Sequence, residues 1–264
     1  MKCDWRDDTV EAVDRTLLHY IRSPAQGSTW VYLHGFSDSG LTWKRLAQRM
    51  PAGLDVVLLD SRNHGESGPG PGGHDNLVYD VVTLIEALRV PHVNLVGHSI
   101  GARTALGVGA RRPDLVRKLV LLDPPLRLGP IHAPHEERLH ALRGMLENWS
   151  RSNPDQLLDL ARRQHPDWDA IDYPSWVQSK SRVRSAAADD IVEVAWRHLA
   201  QTCTVDTVLA FGEENRGGIV SVEVADEFVR LARNSRAVQI LGCGHNIHRE
   251  NFDGAVDFLA GEWK

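Results

Sequence analysis

The residues Gly97-His98-Ser99-Ile100-Gly101 form the stretch that decides the fold. They follow the apolar run Val93–Val96 and precede a run of mostly small residues, 102–110. G-x-S-x-G between a buried strand and a helix is the pattern of a nucleophile elbow, in which glycines permit a sharp turn and the serine hydroxyl projects into a cleft. The helix that follows would point its N-terminus at a developing negative charge. We therefore predict that Ser99 is a nucleophile.

Short apolar runs alternate with amphipathic stretches along the rest of the chain. The runs are rich in Val and Leu and do not alternate with polar residues, as expected for strands covered on both faces. Candidate strands are Thr29–His34, Leu54–Asp60, His92–Gly97, Lys118–Asp123, Thr204–Phe211 and Ala237–Leu241, with a further pair around Arg15–Arg22. Helical periodicity lies between them, for example at Leu77, Val81 and Leu84. The pattern predicts an α/β fold with a mostly parallel, doubly wound sheet.

The alternation is interrupted between residues 124 and 201. This segment opens with Pro124-Pro125, contains no strand pattern, and shows helical spacing instead. Three helices are indicated: one at Leu139, Leu142, Leu146 and Trp149, one beginning at Asn153-Pro154, and one at Val192, Ala195, Trp196 and Leu199. We predict a core of residues 1–123 and 202–264, with residues 124–201 forming a helical cap inserted after the sixth strand.

Composition excludes several classes of function. The chain has 264 residues, of which 42% are hydrophobic and 25% charged, with a net charge of −5, which gives no reason to expect nucleic acid as a partner. The acidic residues near the start indicate a solvated segment. No apolar run reaches the roughly 18 residues that a membrane span needs, and the residues Met1–Trp5 lack the apolar region of a secretory signal. Cys3, Cys203 and Cys243 have no metal-ligand or disulfide spacing, so we expect reduced thiols, a cytoplasmic protein and no metal.

A second motif, His34-Gly35-Phe36, follows the first long apolar run. Stabilising an oxyanion takes two backbone N–H groups that point at one oxygen. The amide of Ile100, directly after the nucleophile, would be one donor, and the amide of Phe36 the other. We interpret His34 as a structural residue.

These two motifs resemble the α/β-hydrolase superfamily, and the resemblance runs from Thr29 to the end of the chain. The loop Asp60–Ser67 is similar to the family's D-x-R-x-H-G-x-S segment, which implies that Asp60 and Arg62 hold loops together and that His64 shapes the cleft. The family places its catalytic histidine after the last strand. His245, in Leu241–His245, occupies that position, and His248 is its rival.

The acid of the triad departs from the commonest family pattern. Most members carry an aspartate in the turn after strand seven, where this sequence has Asn215, which cannot stabilise an imidazolium by charge. Asp123 ends the sixth strand and should emerge at the same sheet edge as Ser99. The sequence resembles a subgroup of small esterases and thioesterases with an R-N-H-G loop and the acid after strand six. Asp123 is therefore the predicted acid, with Glu214 as the alternative.

The resemblance implies an enzyme that cleaves small ester-like substrates by acyl transfer to water, without a cofactor. The same constellation also serves thioesterases, lactonases, C–C hydrolases and perhydrolases, and a non-catalytic binding protein is the rival class. Four tryptophans of the segment 124–201 either line a substrate pocket or hold the cap on the core, namely Trp149, Trp168, Trp176 and Trp196. The oligomeric state is left open.

Overall fold

The computed structural model describes residues 5–126 and 135–263. Its centre is one eight-stranded sheet with the order β1-β2-β4-β3-β5-β6-β7-β8. The strands are β1 (Arg6–Glu11), β2 (Leu17–Arg22), β3 (Thr29–Leu33), β4 (Asp55–Leu59), β5 (Val93–His98), β6 (Val116–Leu122), β7 (Asp206–Phe211) and β8 (Ser235–Gln239). Strands β1 and β2 pair antiparallel, β2 pairs antiparallel with β4, and all other pairings are parallel. The predicted fold class is confirmed.

Helices cover both faces of this sheet. They are α1 (Lys44–Ala47), α2 (His74–Leu88), α3 (Ile100–Arg111), α4 (His135–Arg151), α5 (Pro154–Gln164), α6 (Tyr173–Arg182), α7 (Trp196–Thr202), α8 (Val222–Leu231), α9 (Ile247–Glu250) and α10 (Phe252–Glu262). Short 3-10 helices occupy Gly40–Trp43, Pro113–Leu115, Ala170–Asp172, Ser185–Asp190 and Glu214–Arg216. No helix among the described residues has the length and apolar character needed to cross a bilayer.

Alternate residues of the central strands feed two separate hydrophobic cores. In β3, Val31 and Leu33 belong to the core beneath α2, α3 and α8, while Trp30 and Tyr32 belong to the core beneath α1 and α10. All five residues of β3 are buried, which explains why the run lacks polar alternation. The six candidate strands agree with β3–β8 to within two residues at each end.

The N-terminal prediction needs a correction. The acidic segment that we interpreted as solvated forms strand β1, which pairs with β2 from Arg6 to Glu11. It lies at the edge of the sheet and most of its side chains are exposed, so its composition resembles that of a surface loop. An edge strand buries little side chain and gives no apolar signal. Cys3 and Asp4 lie outside the described residues.

Between β6 and β7 the chain forms α4, α5 and α6, which pack through two small apolar clusters that meet at Trp149. Asn153 caps α5 as predicted: its side chain accepts from the amide of Gln156, whose own side chain accepts from the amide of Asn153. The third predicted helix is partly wrong. It begins at Trp196 rather than near Val192, and it packs on the core beside α3, where Trp196 stacks on Phe228.

Candidate active site

The turn that carries Ser99 is the one predicted as an elbow. Ser99 has φ +53° and ψ −121°, a conformation that costs a non-glycine residue about 1–3 kcal/mol. A Cβ at Gly97 would lie 2.4 Å from the carbonyl oxygen of Gly101, and one at Gly101 would lie 2.3 Å from that of Leu33. Any side chain at these two glycines would therefore push the elbow apart.

His245 lies on the loop after β8, and Asp123 lies directly after β6. The Nδ1 atom of His245 donates to Oδ2 of Asp123 at 2.7 Å. Asp123 is completely buried and also accepts from the backbone amides of Ile219 and Val220, at 3.0 and 3.2 Å. This bond fixes the orientation of the imidazole and leaves its Nε2 atom available to a ligand.

His98 supports the loop of His245. Its ring lies 4.7 Å from the ring of His245, centroid to centroid, and its Nε2 donates to the carbonyl oxygen of His245 at 2.8 Å. Burial and the neighbouring His245 lower the pKa of His98 to about 3, so the ring is neutral and acts as a hydrogen-bonding spacer. His98 is thus a positioning residue that the sequence analysis did not single out, although it is the variable residue within the elbow motif.

Ser99 and His245 open into the same cavity, whose volume is ≈ 240 Å³. Phe36 lines it from the core, and Trp149, Trp168 and Trp176 line it from the segment between β6 and β7. Three of the four tryptophans singled out from the sequence are therefore pocket residues, whereas Trp196 fastens α7 to the core.

The amides of Phe36 and Ile100 were predicted as oxyanion donors. Among the residues that the structure describes, neither amide donates to a protein acceptor. Phe36 lies in the loop after β3, and Ile100 is the first residue of α3. Because β3 and β5 are neighbours in the sheet, both loops emerge at the same edge. Phe36 lines the cavity and Ile100 directly follows Ser99, and the oxyanion role of their amides stays a prediction.

The structure places Asp123, and not Glu214, against His245. Glu214 and Asn215 are exposed in the 3-10 helix after β7. An acid at this turn would have to bind Nδ1 of His245, but that atom already bonds to Asp123. The turn contributes to the site in another way, because the loop that follows it donates the amides of Ile219 and Val220 to the Asp123 carboxylate.

The histidines that competed with His245 have structural partners. The Nε2 of His34 accepts from the amide of Ser61, and the Nε2 of His64 accepts from the amide of Ser37. Burial lowers the pKa of His64 to about 3. His248 is buried in α9 and stacks on Trp43 at 4.5 Å. These rings shape the surroundings of the cavity and do not line it.

The loop with Asp60 and Arg62 joins several segments. Arg62 is buried and donates to both carboxylate oxygens of Asp80, and its Nη1 also donates to Asp14 at 2.7 Å. Asp60 accepts from the amides of Gly40 and Glu66. The two side chains hold the loops beside the site, which is the role that the family resemblance implied.

The described cysteines are buried and free. Cys243 stands two residues before His245, where thiol chemistry would be conceivable. Its Sγ donates to the carbonyl of Ile240, and burial raises its pKa to about 12. A thiolate does not form at neutral pH, so Cys243 is a packing residue.

Three charged residues of the cavity were missed by the sequence analysis. Asp38 follows β3, Lys180 lies in α6 and Arg249 lies in α9, so no local motif joins them. Lys180 Nζ lies 3.0 Å from one carboxylate oxygen of Asp38, and Arg249 Nη1 lies 3.0 Å from the other. We refer to Asp38, Lys180 and Arg249 as the charged cluster.

Metal ligands were not predicted, and one arrangement of described residues comes near to such a site. Donor atoms of Asp38, His98 and His248 lie within 4.8 Å of one another. Both oxygens of Asp38 are already paired with the cations Lys180 and Arg249. Because two positive charges adjoin the carboxylate, the arrangement is poorly suited to a metal ion.

With the geometry established, comparison with known proteins identifies the class. Residues 30–258 match the profile of a family described as "Alpha/beta hydrolase family". The mouse protein named sn-1-specific diacylglycerol lipase ABHD11 is 36% identical over 256 residues, covering 87% of this chain and 80% of that protein. The chain therefore belongs to the alpha/beta hydrolase family.

Two further relatives have related names. N-formylmaleamate deformylase of Pseudomonas putida is 32% identical over 124 residues, which is 46% of each chain. The alignment thus spans under half of that relative. The crystal structure of the N-formylmaleamic acid deformylase of Pseudomonas putida S16 superposes with a TM-score of 0.80 at 21% identity, covering 96% of this chain and all of the other, and so shares the fold.

Proposed function

We propose that this protein hydrolyses small carboxylic esters and related acyl compounds through an acyl-enzyme on Ser99. The observation that carries the proposal is the 2.7 Å bond from His245 Nδ1 to the buried Asp123, on a loop that shares the Ser99 cavity. A strained serine, an oriented imidazole and a buried carboxylate form the arrangement that activates a hydroxyl nucleophile. Asp123 is the acid in this proposal, and Glu214 is not needed.

In the first half of the reaction, the Ser99 hydroxyl attacks the substrate carbonyl carbon and His245 Nε2 takes its proton. Asp123 stabilises the resulting imidazolium. The amides of Phe36 and Ile100 would bind the carbonyl oxygen as it becomes an oxyanion. The intermediate collapses when His245 returns the proton to the leaving alcohol, which leaves Ser99 acylated.

In the second half, water attacks the acyl-enzyme carbonyl. His245 removes a proton from the water and then gives it to Ser99 as the acid product forms. Every proton is carried by His245, and neither a cofactor nor a metal is needed in the scheme. The substrate is a small molecule, because the cavity of ≈ 240 Å³ is smaller than the roughly 300–1,000 Å³ of usual ligand pockets.

The names of the relatives fit this chemistry. A lipase cleaves esters and a deformylase removes an acyl group, so both transfer an acyl group to water. Esters are the proposed substrates of this chain, and thioesters, lactones and C–C bonds beside a carbonyl are variations on the same site.

Hydrolysis of p-nitrophenyl acetate, butyrate and octanoate by the wild type and Ser99→Ala tests the proposal. We expect Ser99→Ala to lower kcat by a factor on the order of 10⁴–10⁶. Glu214→Gln serves as a matched control on the exposed turn and should retain activity. A fluorophosphonate probe should label the wild type and Glu214→Gln but not Ser99→Ala.

A non-catalytic binding protein on the same fold makes the opposite predictions. The wild type would be inert to all three esters, and Ser99 would not react with the probe. That result would remove the hydrolase proposal, since probe labelling requires an activated serine.

A further inference from the structure

The cavity beside Ser99 contains more buried positive than negative charge. Asp38, Lys180 and Arg249 all line it, and each is 4% exposed. One carboxylate, in the loop after β3, thus faces two cations, one in α6 and one in α9. Among the described residues that line the cavity, Asp38 is the single acid.

The two cations differ in how well they are satisfied. Lys180 Nζ donates to Asp38 and to the carbonyl and hydroxyl oxygens of Ser37, so its three protons have acceptors. Arg249 Nη1 pairs with Asp38, but its Nε and Nη2 are buried and have no hydrogen-bond partner. The missing counter-charge therefore concerns Arg249, whose free Nε and Nη2 form the edge that grips a carboxylate with two hydrogen bonds.

Other charges near Arg249 are already engaged. Asp172 bonds to Arg45, and Glu250 accepts from the amides of Gly244 and Asn246. Neither acid lines the cavity. Burial together with Arg249 and Lys180 lowers the pKa of His165, a lining residue, which is the response expected beside a positive field.

Tryptophans hold the two cations and limit water around them. Lys180 Nζ lies 4.9 Å from the ring centre of Trp176, and the Arg249 guanidinium lies 4.6 Å from that of Trp168. A buried cation without a full complement of partners is costly, and a ligand that supplies the missing charge recovers part of that cost. The apolar rings also strengthen the attraction to such a ligand.

We propose that the substrate is an acyl compound that carries a free carboxylate, which binds at the Arg249 end of the charged cluster while Ser99 attacks its acyl carbonyl. The assignment of this substrate class rests on the proposed hydrolase function. The substrate carboxylate balances the second cation and takes the free edge of Arg249 after a small side-chain adjustment. A half-ester of a short dicarboxylic acid has this chemistry.

Arg249→Met is the informative substitution because it removes the surplus charge and leaves Asp38 paired with Lys180. The two substrates are monomethyl glutarate and methyl pentanoate, followed by pH-stat titration. For the wild type we expect kcat/KM to be at least about 10-fold higher for the half-ester. In Arg249→Met that ratio should fall by about 10-fold or more, mainly through KM. Arg249→Lys, which keeps the charge, should restore part of the ratio.

Arg182→Met is the matched control. Arg182 lies in α6, the helix that carries Lys180, and makes an ion pair with Glu66 of the core, but it is exposed and does not line the cavity. Its substitution should leave the ratio of the two substrates unchanged. An equal drop in Arg182→Met and Arg249→Met would show a general effect of losing an arginine ion pair and overturn the proposal.

Calorimetric titration of Ser99→Ala with glutarate and with butyrate separates binding from chemistry. We expect glutarate to bind, and to bind at least about 10-fold more weakly when Arg249→Met is added. If the neutral ester is hydrolysed as well as the half-ester and glutarate does not bind, the carboxylate site is wrong and the hydrolase stands. If glutarate binds but no ester is cleaved, the hydrolase proposal fails and the carboxylate site stands.

Discussion

Asp123 and Asp38 are both buried carboxylates near the Ser99 cavity, but their surroundings differ. Asp123 is held by two backbone amides and by the imidazole of His245. Asp38 lies between the side chains of Lys180 and Arg249 and pairs with both. Burial opposes the ionisation of Asp38, yet Arg249 and Lys180 overcome it and hold its pKa well below the usual range. The first carboxylate is ready to stabilise a charge that appears during reaction, whereas the second neutralises charge that is always present.

The largest effect on activity in this comparison is expected at Asp123. Asp123→Asn keeps an oxygen for the backbone amides but cannot stabilise the imidazolium, so kcat/KM should fall by a factor on the order of 10⁴. The free energy of unfolding should change little by comparison. Ester hydrolysis and urea unfolding of one purified sample give both numbers. A folded, fully active Asp123→Asn would remove Asp123 from the mechanism.

The main expected effect of Asp38→Asn is a lower free energy of unfolding rather than a lower kcat. The substitution leaves Lys180 and Arg249 buried without a counter-charge, which costs about 3–5 kcal/mol of unfolding free energy. Urea denaturation followed by tryptophan fluorescence measures the loss. In the double variant Asp38→Asn with Arg249→Met, the loss should be smaller than the sum of the two single losses. An unchanged urea midpoint for Asp38→Asn would show that the cluster carries no net pairing energy.

Asp190 is another buried carboxylate, and its side chain has fewer hydrogen-bond and ion-pair partners than those of Asp123 and Asp38. Its Oδ1 accepts from the amide of Gly73 at 2.8 Å, and the nearby Arg103 donates to backbone carbonyls instead. Burial raises the pKa of Asp190 to about 7. The native state therefore keeps a proton that the unfolded chain releases near pH 4, so stability falls as pH rises from about 4 to about 7 and then levels off.

Unfolding free energies at pH 5 and pH 7.5 test this expectation. Between these values the wild type should lose roughly 2–3 kcal/mol more than Asp190→Asn. Asp189→Asn, on the neighbouring residue that pairs with Arg143, is the control and should behave as the wild type. Equal pH dependence in wild type and Asp190→Asn would contradict the raised pKa.

The smallest effect is expected at the turn after β7. Asn215→Asp restores the acid that most family members carry there, but Asn215 is exposed and His245 Nδ1 is already bonded to Asp123. Activity on p-nitrophenyl butyrate should change less than about twofold. The sharper form of this test places Asn215→Asp in the Asp123→Asn background. Recovery of activity there would mean that the turn can reach His245.

The sequence allowed the core strands, the elbow and the position of Asp123 to be predicted because each depends on local pattern. Buried strands leave an apolar run, and a residue at the end of such a run must emerge at the sheet edge. The cluster of Asp38, Lys180 and Arg249 could not be found in this way. Its members come from three distant segments, and their proximity depends on how α6 and α9 pack around the loop after β3.

The errors have similar physical causes. Strand β1 was interpreted as a solvated segment because an edge strand with exposed side chains has the composition of a loop. The helix near Trp196 was extended too far because Val192 and Ala195 share its apolar spacing, although the helix starts only at Trp196. In both cases tertiary packing determines the type or the start of the element, and local periodicity does not report it.

Strand β1 also determines what the edge of the sheet presents to other molecules. Among the described residues, no strand pairs with its outer side, and a free strand edge is a template on which a second copy can extend the sheet. The exposed acids Asp7, Asp8 and Glu11 lie on that strand. We expect these like charges to disfavour the parallel, in-register addition of a second copy of this strand.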